Sequence, residues 1–165
     1  NESVKKHSEN KSKNFTKEQR QSLVKSLENQ YSKIDISKKT SKNISSLLEP
    51  NTFCITTGHQ LNLFTGPLMV IFKIAQVISI SNQLNLGSKE FKYVPVLWMA
   101  SEDHDFEEIS EVNLNQKNIK WDINSNNLPV GEIEINNFKN VLRDYNYSII
   151  DYDFKEKMLY ESFWR

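Results

Sequence analysis

Cysteine is almost missing from this sequence: Cys54 is alone among 165 residues. One thiol cannot make an internal disulfide, so stability must come from a packed core, and the chain reads as cytoplasmic. Glycine and proline are also scarce, at four each. That excludes collagen-like repeats and Gly/Pro-rich linkers, and it gives each one positional weight. Net charge is absent as well, at zero, which removes any overall pull toward nucleic acid or anionic membrane. Long apolar runs are missing too. The longest, Leu68 to Leu84, is broken by Lys73, Gln76, Ser79, Ser81, Asn82 and Gln83, too short and too polar to span a bilayer. The residues near Asn1 have no apolar core of the signal-peptide kind.

What is present suits one globular domain: 38% apolar and 25% charged residues over a length that can bury a real core. Charge is uneven. Residues 1–50 carry eleven Lys/Arg against six Asp/Glu, and residues 51–165 carry ten against fifteen. The basic end lacks the interleaved aromatics that stack on bases, so it reads as solvated chain and not as a nucleic-acid surface. The start at Asn1 without Met, and an uncapped helical pattern running into Arg165, suggest an N-terminal piece of a longer protein.

Three segments are expected. Residues 1–14 are Lys/Ser/Asn/Glu-rich and read as a disordered or linker arm. Residues 15–50 read as helical. Thr16 to Gln19 fits a capping box ahead of a helix from Lys17 to Ser32. Asp35 or Ser37 can cap a second helix ending near Leu48 before Pro50. Residues 51–165 read as the first part of an α/β core. Phe53–Thr56 is a short apolar strand, Gly66-Pro67 starts a helix to about Leu84, and Tyr93–Ala100 is a second strand. Both strands read as buried and parallel, with the helix as crossover covered by other layers. A small β insertion near 111–135 is expected from Glu111–Leu114, Lys120–Ile123 and Glu132–Ile135. Asn136 can cap a helix from Phe138 to about Tyr145, and a last helix follows Asp153. Trp98 reads as core, and Cys54 as a buried strand residue in place of a nucleophile.

In a parallel sheet the ligand site lies outside the carboxyl ends of the strands. Two polar loops fall there. The first supplies Thr57, Gly58, His59, Gln60, Asn62 and Thr65, with the helix start at Gly66-Pro67 and Lys73 two turns on. Free backbone N–H groups and the positive helix end suit phosphate or carboxylate. The loop is neither a Walker A sequence nor a G-x-G-x-x-G loop, and it equally suits a capped turn with a structural His59. The second loop carries Glu102, Asp103, His104 and Asp105. A carboxylate beside histidine can fix its tautomer for general acid/base work. The same run could serve as a capping loop, or as ligands of a metal-dependent hydrolase or nucleotidyltransferase, although no second His cluster with ligand spacing occurs. A non-catalytic ligand-binding fragment is the third reading.

The two motifs TTGHQLNLFTGP and YVPVLWMASEDHDFEEI, in this order and spacing, resemble the bacillithiol-synthesis family of cysteine ligases. The match is close over residues 52–112 and looser at Leu128 to Glu132. The resemblance implies a Rossmann-like, nucleotidylyltransferase-like core of which this chain is the N-terminal third. It implies a full-length cytosolic homodimer with a coiled coil. It implies a ligase that adds L-cysteine to glucosaminyl-malate through an activated carboxyl, with ATP or another nucleotide as activator. Under it, Glu102, Asp103, His104 and Asp105 are the catalytic candidates. Thr57, Gly58, His59, Gln60, Thr65, Gly66 and Lys73 are the substrate- or nucleotide-binding ones, and no metal is implied. Many members carry Gln where this chain has His59, which points to a ligand contact at that position and not a proton shuttle.

Overall fold

A computed structural model describes residues 2–114, 117–135 and 138–149. The element order is α1 (Glu2–Ser12), α2 (Lys17–Tyr31), α3 (Lys38–Ser46), β1 (Thr52–His59), α4 (Leu68–Gly87), β2 (Lys92–Met99), α5 (Phe106–Ile109), β3 (Glu111–Leu114), β4 (Lys117–Lys120) and α6 (Phe138–Ile149). β1 pairs with β2, and β3 with β4. The chain forms two compact units, residues 1–57 with 75–96 and residues 58–74 with 97–165. The units interleave along the sequence, where the residue pattern suggests consecutive segments.

The first unit is built on local signals that agree with its packing. Thr16 and Gln19 form the expected capping box, each side chain bonding the other's backbone N–H at 3.3 and 2.8 Å. Ser37, not Asp35, caps α3. Val24, Ile44, Leu47 and Val94 make the core, with Leu27, Tyr31, Ile36 and Val96 against it. Arg20 is almost fully buried in this unit, an exception for an arginine. Its guanidinium donates to the carbonyl oxygens of Leu47, Thr52 and Pro50, each at 3.0 Å. It also lies over the rings of Phe15 and Phe53. Desolvation lowers its pKa.

The segment 1–14 departs from the expected disordered arm. Glu2–Ser12 is helical, and Ser8 is buried with its hydroxyl 3.2 Å from the Tyr93 hydroxyl. Lys5 pairs with Glu90 at 3.0 Å. Composition reports only how little apolar area the segment can bury. A tertiary contact with Tyr93, more than eighty positions away, is invisible to it. At the start of β2, the Asn85 amide bonds both backbone groups of Tyr93 at 2.8 Å and so takes the place of a neighbouring strand.

β1 and β2 run parallel. In the first unit Lys92 N–H bonds Asn51 O, and in the second Ala100 N–H bonds His59 O. Both partners have advanced in step, which only parallel strands allow. This pairing carries β1 past the expected end at Thr56 to His59. The strands are less buried than expected. Cys54 is exposed, and Leu97, Trp98 and Met99 lie open, Trp98 at 59%. Desolvation still raises the Cys54 thiol, with Arg20 opposing it. The helix α4 likewise leaves Leu68, Met69, Ile71, Phe72, Ile78 and Ile80 exposed, where its apolar character suggests cover on most sides. Pro67 precedes its first residue, Leu68, and the helix extends past Leu84 to Gly87. No helix among the described residues is long and apolar enough to cross a membrane.

The second unit packs Leu63, Ile119, Trp121 and Val141 as its core. Trp121 meets Phe106 and Phe138 edge-on, with centroids 5.3 and 5.4 Å apart, and Phe64 stacks on Tyr145. β3 and β4 are antiparallel, pairing Glu111 with Lys120 and Val112 with Ile119. The expected strand Lys120–Ile123 sits earlier, at Lys117–Lys120, because β3 gives it no longer partner. Its inward alternation continues through Trp121 and Ile123. Glu132–Ile135 is not a strand. Val130–Glu132 is a single 3-10 turn: the N–H groups of Val130 and Gly131 bond Asp103 O and Ser101 O, and that of Glu132 closes the turn onto Pro129 O. α6 runs beyond Tyr145 to Ile149. Asn136, proposed as its cap, and the helix expected after Asp153 lie outside the described residues.

Candidate functional site

Thr57, Gly58 and His59 are strand residues of β1, and the loop begins only at Gln60. This corrects the reading of Thr57–Gln60 as one loop, and its cause is the long parallel ladder. Thr57 belongs to the first unit, while every other candidate lies in the second. His59 is 8% exposed. Its Nδ1 is 2.8 Å from Asn62 Nδ2, and its Nε2 is 3.6 Å from Glu108 Oε1. Asn62 Nδ2 also donates to Gln60 O at 3.0 Å.

The turn that delivers Asn62 is sharply constrained. Phe64 and Thr65 both take positive φ, at 48° and 74°. Gly66 follows at φ 65° and ψ −161°, a region open essentially to glycine alone. A Cβ on Gly66 would stand 2.5 Å from Asn62 Cβ. Lys73, reaching back from α4, donates to Gly58 O at 3.3 Å. Its ammonium therefore sits at the carboxyl end of β1.

The second loop does not converge as a block. Glu102 Oε1 accepts from Trp98 Nε1 at 3.2 Å. Asp105 Oδ1 accepts from Glu108 N at 3.2 Å and so caps α5. Asp103 Oδ1 accepts from His104 N at 2.7 Å and from Asp105 N at 3.3 Å. His104 is exposed, and no hydrogen bond or ion pair of its imidazole is seen among the described residues. The three carboxylates turn to three different partners, and no group able to hold a metal ion occurs among the described residues.

The two loops leave neighbouring strand ends, where Ala100 N–H bonds His59 O at 3.0 Å. The Gln60 side chain, as a hydrogen-bonding neighbour, is the first cause that holds the Asp103 carboxyl below the ordinary 3.8. The N–H groups of His104 and Asp105 add to the effect. Gln60 is itself 9% exposed, and its Oε1 is buried without a partner. The sign of the linkage follows. A depressed carboxylate pKa contributes stability that is complete above the unfolded value and is lost as pH falls through the folded one. An NMR titration should give Asp103 a midpoint below 3.8, and Gln60→Ala should raise it. A midpoint unmoved by that substitution would remove Gln60 as the cause.

Two contributions were not assigned from the sequence. Glu108, the partner of His59, stands just past the acidic run and gives no spacing signal. The segment after Pro129 pins the second loop, with Val130 N–H bonding Asp103 O at 2.7 Å and Gly131 N–H bonding Ser101 O at 2.9 Å. A Cβ on Gly131 would lie 2.7 Å from Ser101 Cβ, so glycine permits the approach. The loose motif match at Leu128 to Glu132 was the available hint.

Comparison with known proteins decides the family. The family model described as bacillithiol biosynthesis BshC, N-terminal Rossmann-like domain, matches residues 1–163. The chain belongs to this family. Among curated relatives, the protein of Flavobacterium johnsoniae is 44% identical over 136 residues, covering 82% of this chain and 26% of the relative. That of Christiangramia forsetii is 48% identical over 111 residues, covering 67% and 21%. That of Flavobacterium psychrophilum is 46% identical over 121 residues, covering 73% and 23%. All three bear the name "Putative cysteine ligase BshC". The chain spans about a quarter of the length of these relatives. The Rossmann-like α/β class read from the two motifs thus stands.

Proposed function

We propose that the full-length protein is a ligase that joins L-cysteine to glucosaminyl-malate, and that this chain supplies one edge of its site. The names of the relatives support the ligase class. One structural observation supports the placing of the site. Ala100 N–H bonds His59 O at 3.0 Å and holds the ends of β1 and β2 side by side, so both loops leave the same carboxyl edge. That edge has two chemical characters. Asp103, Glu108 and the unpartnered Gln60 Oε1 are acceptors and suit the ammonium of an amino acid. Lys73, the first turn of α4 and His59 Nε2 are donors and suit oxygen.

Forming the amide requires an activated carboxyl, because a free carboxylate does not leave. ATP or another nucleotide would supply that activation as an acyl-adenylate or acyl-phosphate. The donor set suits its phosphates, and Lys73 with the start of α4 would hold them. Asp103 and Gln60 would orient the ammonium of cysteine. The exposed His104 imidazole, uncommitted among the described residues, would take the proton released as the amine attacks.

The test uses the full-length protein. His104→Ala should lower kcat for thiol formation by about 100-fold or more. His59→Gln should stay near the unsubstituted rate, because an amide N–H can replace the imidazole donor. Inactive His59→Gln with nearly normal His104→Ala would reverse these roles.

A further inference from the structure

We propose that Asn62 and Glu108 are positioning residues that fix His59 as its Nε2–H tautomer, so that it serves the site as a hydrogen-bond donor and not as a base. Nothing in the family match assigns a role to either residue.

The argument begins at Nδ1. Asn62 Nδ2 lies 2.8 Å from it and 3.0 Å from the Gln60 carbonyl oxygen. Turning the amide over would set two oxygens against each other at the second contact. The amide nitrogen therefore faces both acceptors and uses one proton on each. Nδ1 also lies 3.4 Å from the Gln60 carbonyl oxygen, but the amide nitrogen at 2.8 Å is the closer neighbour and already serves that carbonyl, so Nδ1 offers a lone pair and the proton of the neutral ring sits on Nε2. The charge on the other side favours the same tautomer without a formed bond. Nε2 faces the carboxylate of Glu108 at 3.6 Å, and an ionised carboxylate can only accept.

Asn62 is in turn fixed by the chain behind it. Its Cβ and Cγ stand 2.5 and 2.8 Å from where a side chain on Gly66 would begin. Its Oδ1 is buried without a partner, 3.1 Å from that same position. Only a glycine at position 66 leaves room for the Asn62 side chain to lie beside the ring. The Nε2 to Glu108 separation is longer than a formed hydrogen bond. A substrate oxygen could take the Nε2 proton as donor without first breaking one. The inference rests on the proposed ligase reading only for what that donor meets. The tautomer itself can be read in this chain with no substrate.

The experiment is a long-range 1H–15N spectrum of the 15N-labelled chain above the titration of His59. One tautomer, Nε2–H, is expected. Asn62→Ala should admit a measurable Nδ1–H population. Asn62→Asp should make Nδ1–H the majority form, because a carboxylate beside Nδ1 demands a donor. Glu108→Gln should leave Nε2–H in place, since its amide oxygen still accepts. A mixture of tautomers in the unsubstituted chain would overturn the proposal, and that spectrum decides the matter even where a variant does not fold. An unchanged Nε2–H ring in folded Asn62→Asp would overturn it too. In the full-length protein, Asn62→Asp should raise KM several-fold and leave the pH profile of kcat in place. Loss of one limb of that profile would make His59 a base. Failure of the full-length protein to form the thiol would defeat the ligase reading and leave the tautomer result untouched.

Discussion

Arg20→Ala is expected to cost the chain about 4 kcal/mol of unfolding free energy, the range seen when a buried charge-assisted network loses its donor. The substitution strands the carbonyl oxygens of Leu47, Pro50 and Thr52, which all accept from this one guanidinium. Each sits where α3 turns into β1, so no helix or sheet bond is available to replace the lost one. It also removes the cation between the rings of Phe15 and Phe53. Arg20→Lys should recover only a minor part, because one ammonium cannot span three oxygens held by a planar fork. Arg20→Met keeps the apolar stem and isolates the hydrogen-bond share of the loss. Urea unfolding of the three variants is the measurement. A midpoint for Arg20→Ala within error of the unsubstituted chain would mean that water satisfies those carbonyls as well as the guanidinium does.

Gly66→Ala is the second large effect, at about 3 kcal/mol. Backbone in this region costs a non-glycine residue of order 1–3 kcal/mol, and overpacking adds to it. The new methyl carbon would stand 2.5 Å from Asn62 Cβ, and neither atom is the far end of a flexible side chain. Relief requires the turn to open, and opening moves Asn62 off the His59 ring. The same variant should therefore lose stability and broaden the His59 imidazole signals. A stable Gly66→Ala with unchanged His59 resonances would contradict the close approach of Asn62 to Gly66. Gly131→Ala is a useful contrast. Its added carbon also meets Ser101 closely, but its φ is not in the positive range, so steric overlap acts without backbone strain.

Much of the local structure was legible because the local chemistry is self-contained. A capping box is complete within four residues, and Thr16 to Gln19 formed as written. An apolar run between Pro50 and Gly58 gave the body of β1, although the strand itself runs through Gly58 to His59, and alternation gave β3. What failed depended on distant partners. Glu2–Ser12 is ordered although its composition reads as solvated chain. Trp98 reads as core by residue type, yet it is exposed with its indole N–H on Glu102. Cys54 reads as buried from its neighbours in sequence, yet it lies on the open face of β1.

The candidate site divides the same way. The sequence by itself determined the family, the parallel strand–helix–strand order and the two polar loops after the strands, since motifs and hydrophobic patterning are properties of contiguous residues. It could not determine which side chains in those loops face one another. Four acid/base groups in a row look like a cluster in the sequence, but successive side chains in a loop point apart. The tertiary structure sent Glu102 to Trp98 and Asp105 to the cap of α5, and it turned Asp103 onto the N–H groups of His104 and Asp105. It also chose Glu108 and Asn62 as the partners of His59. Those choices depend on strand register and on the left-handed turn at Gly66, which set the direction of each side chain and are fixed only when the chain packs.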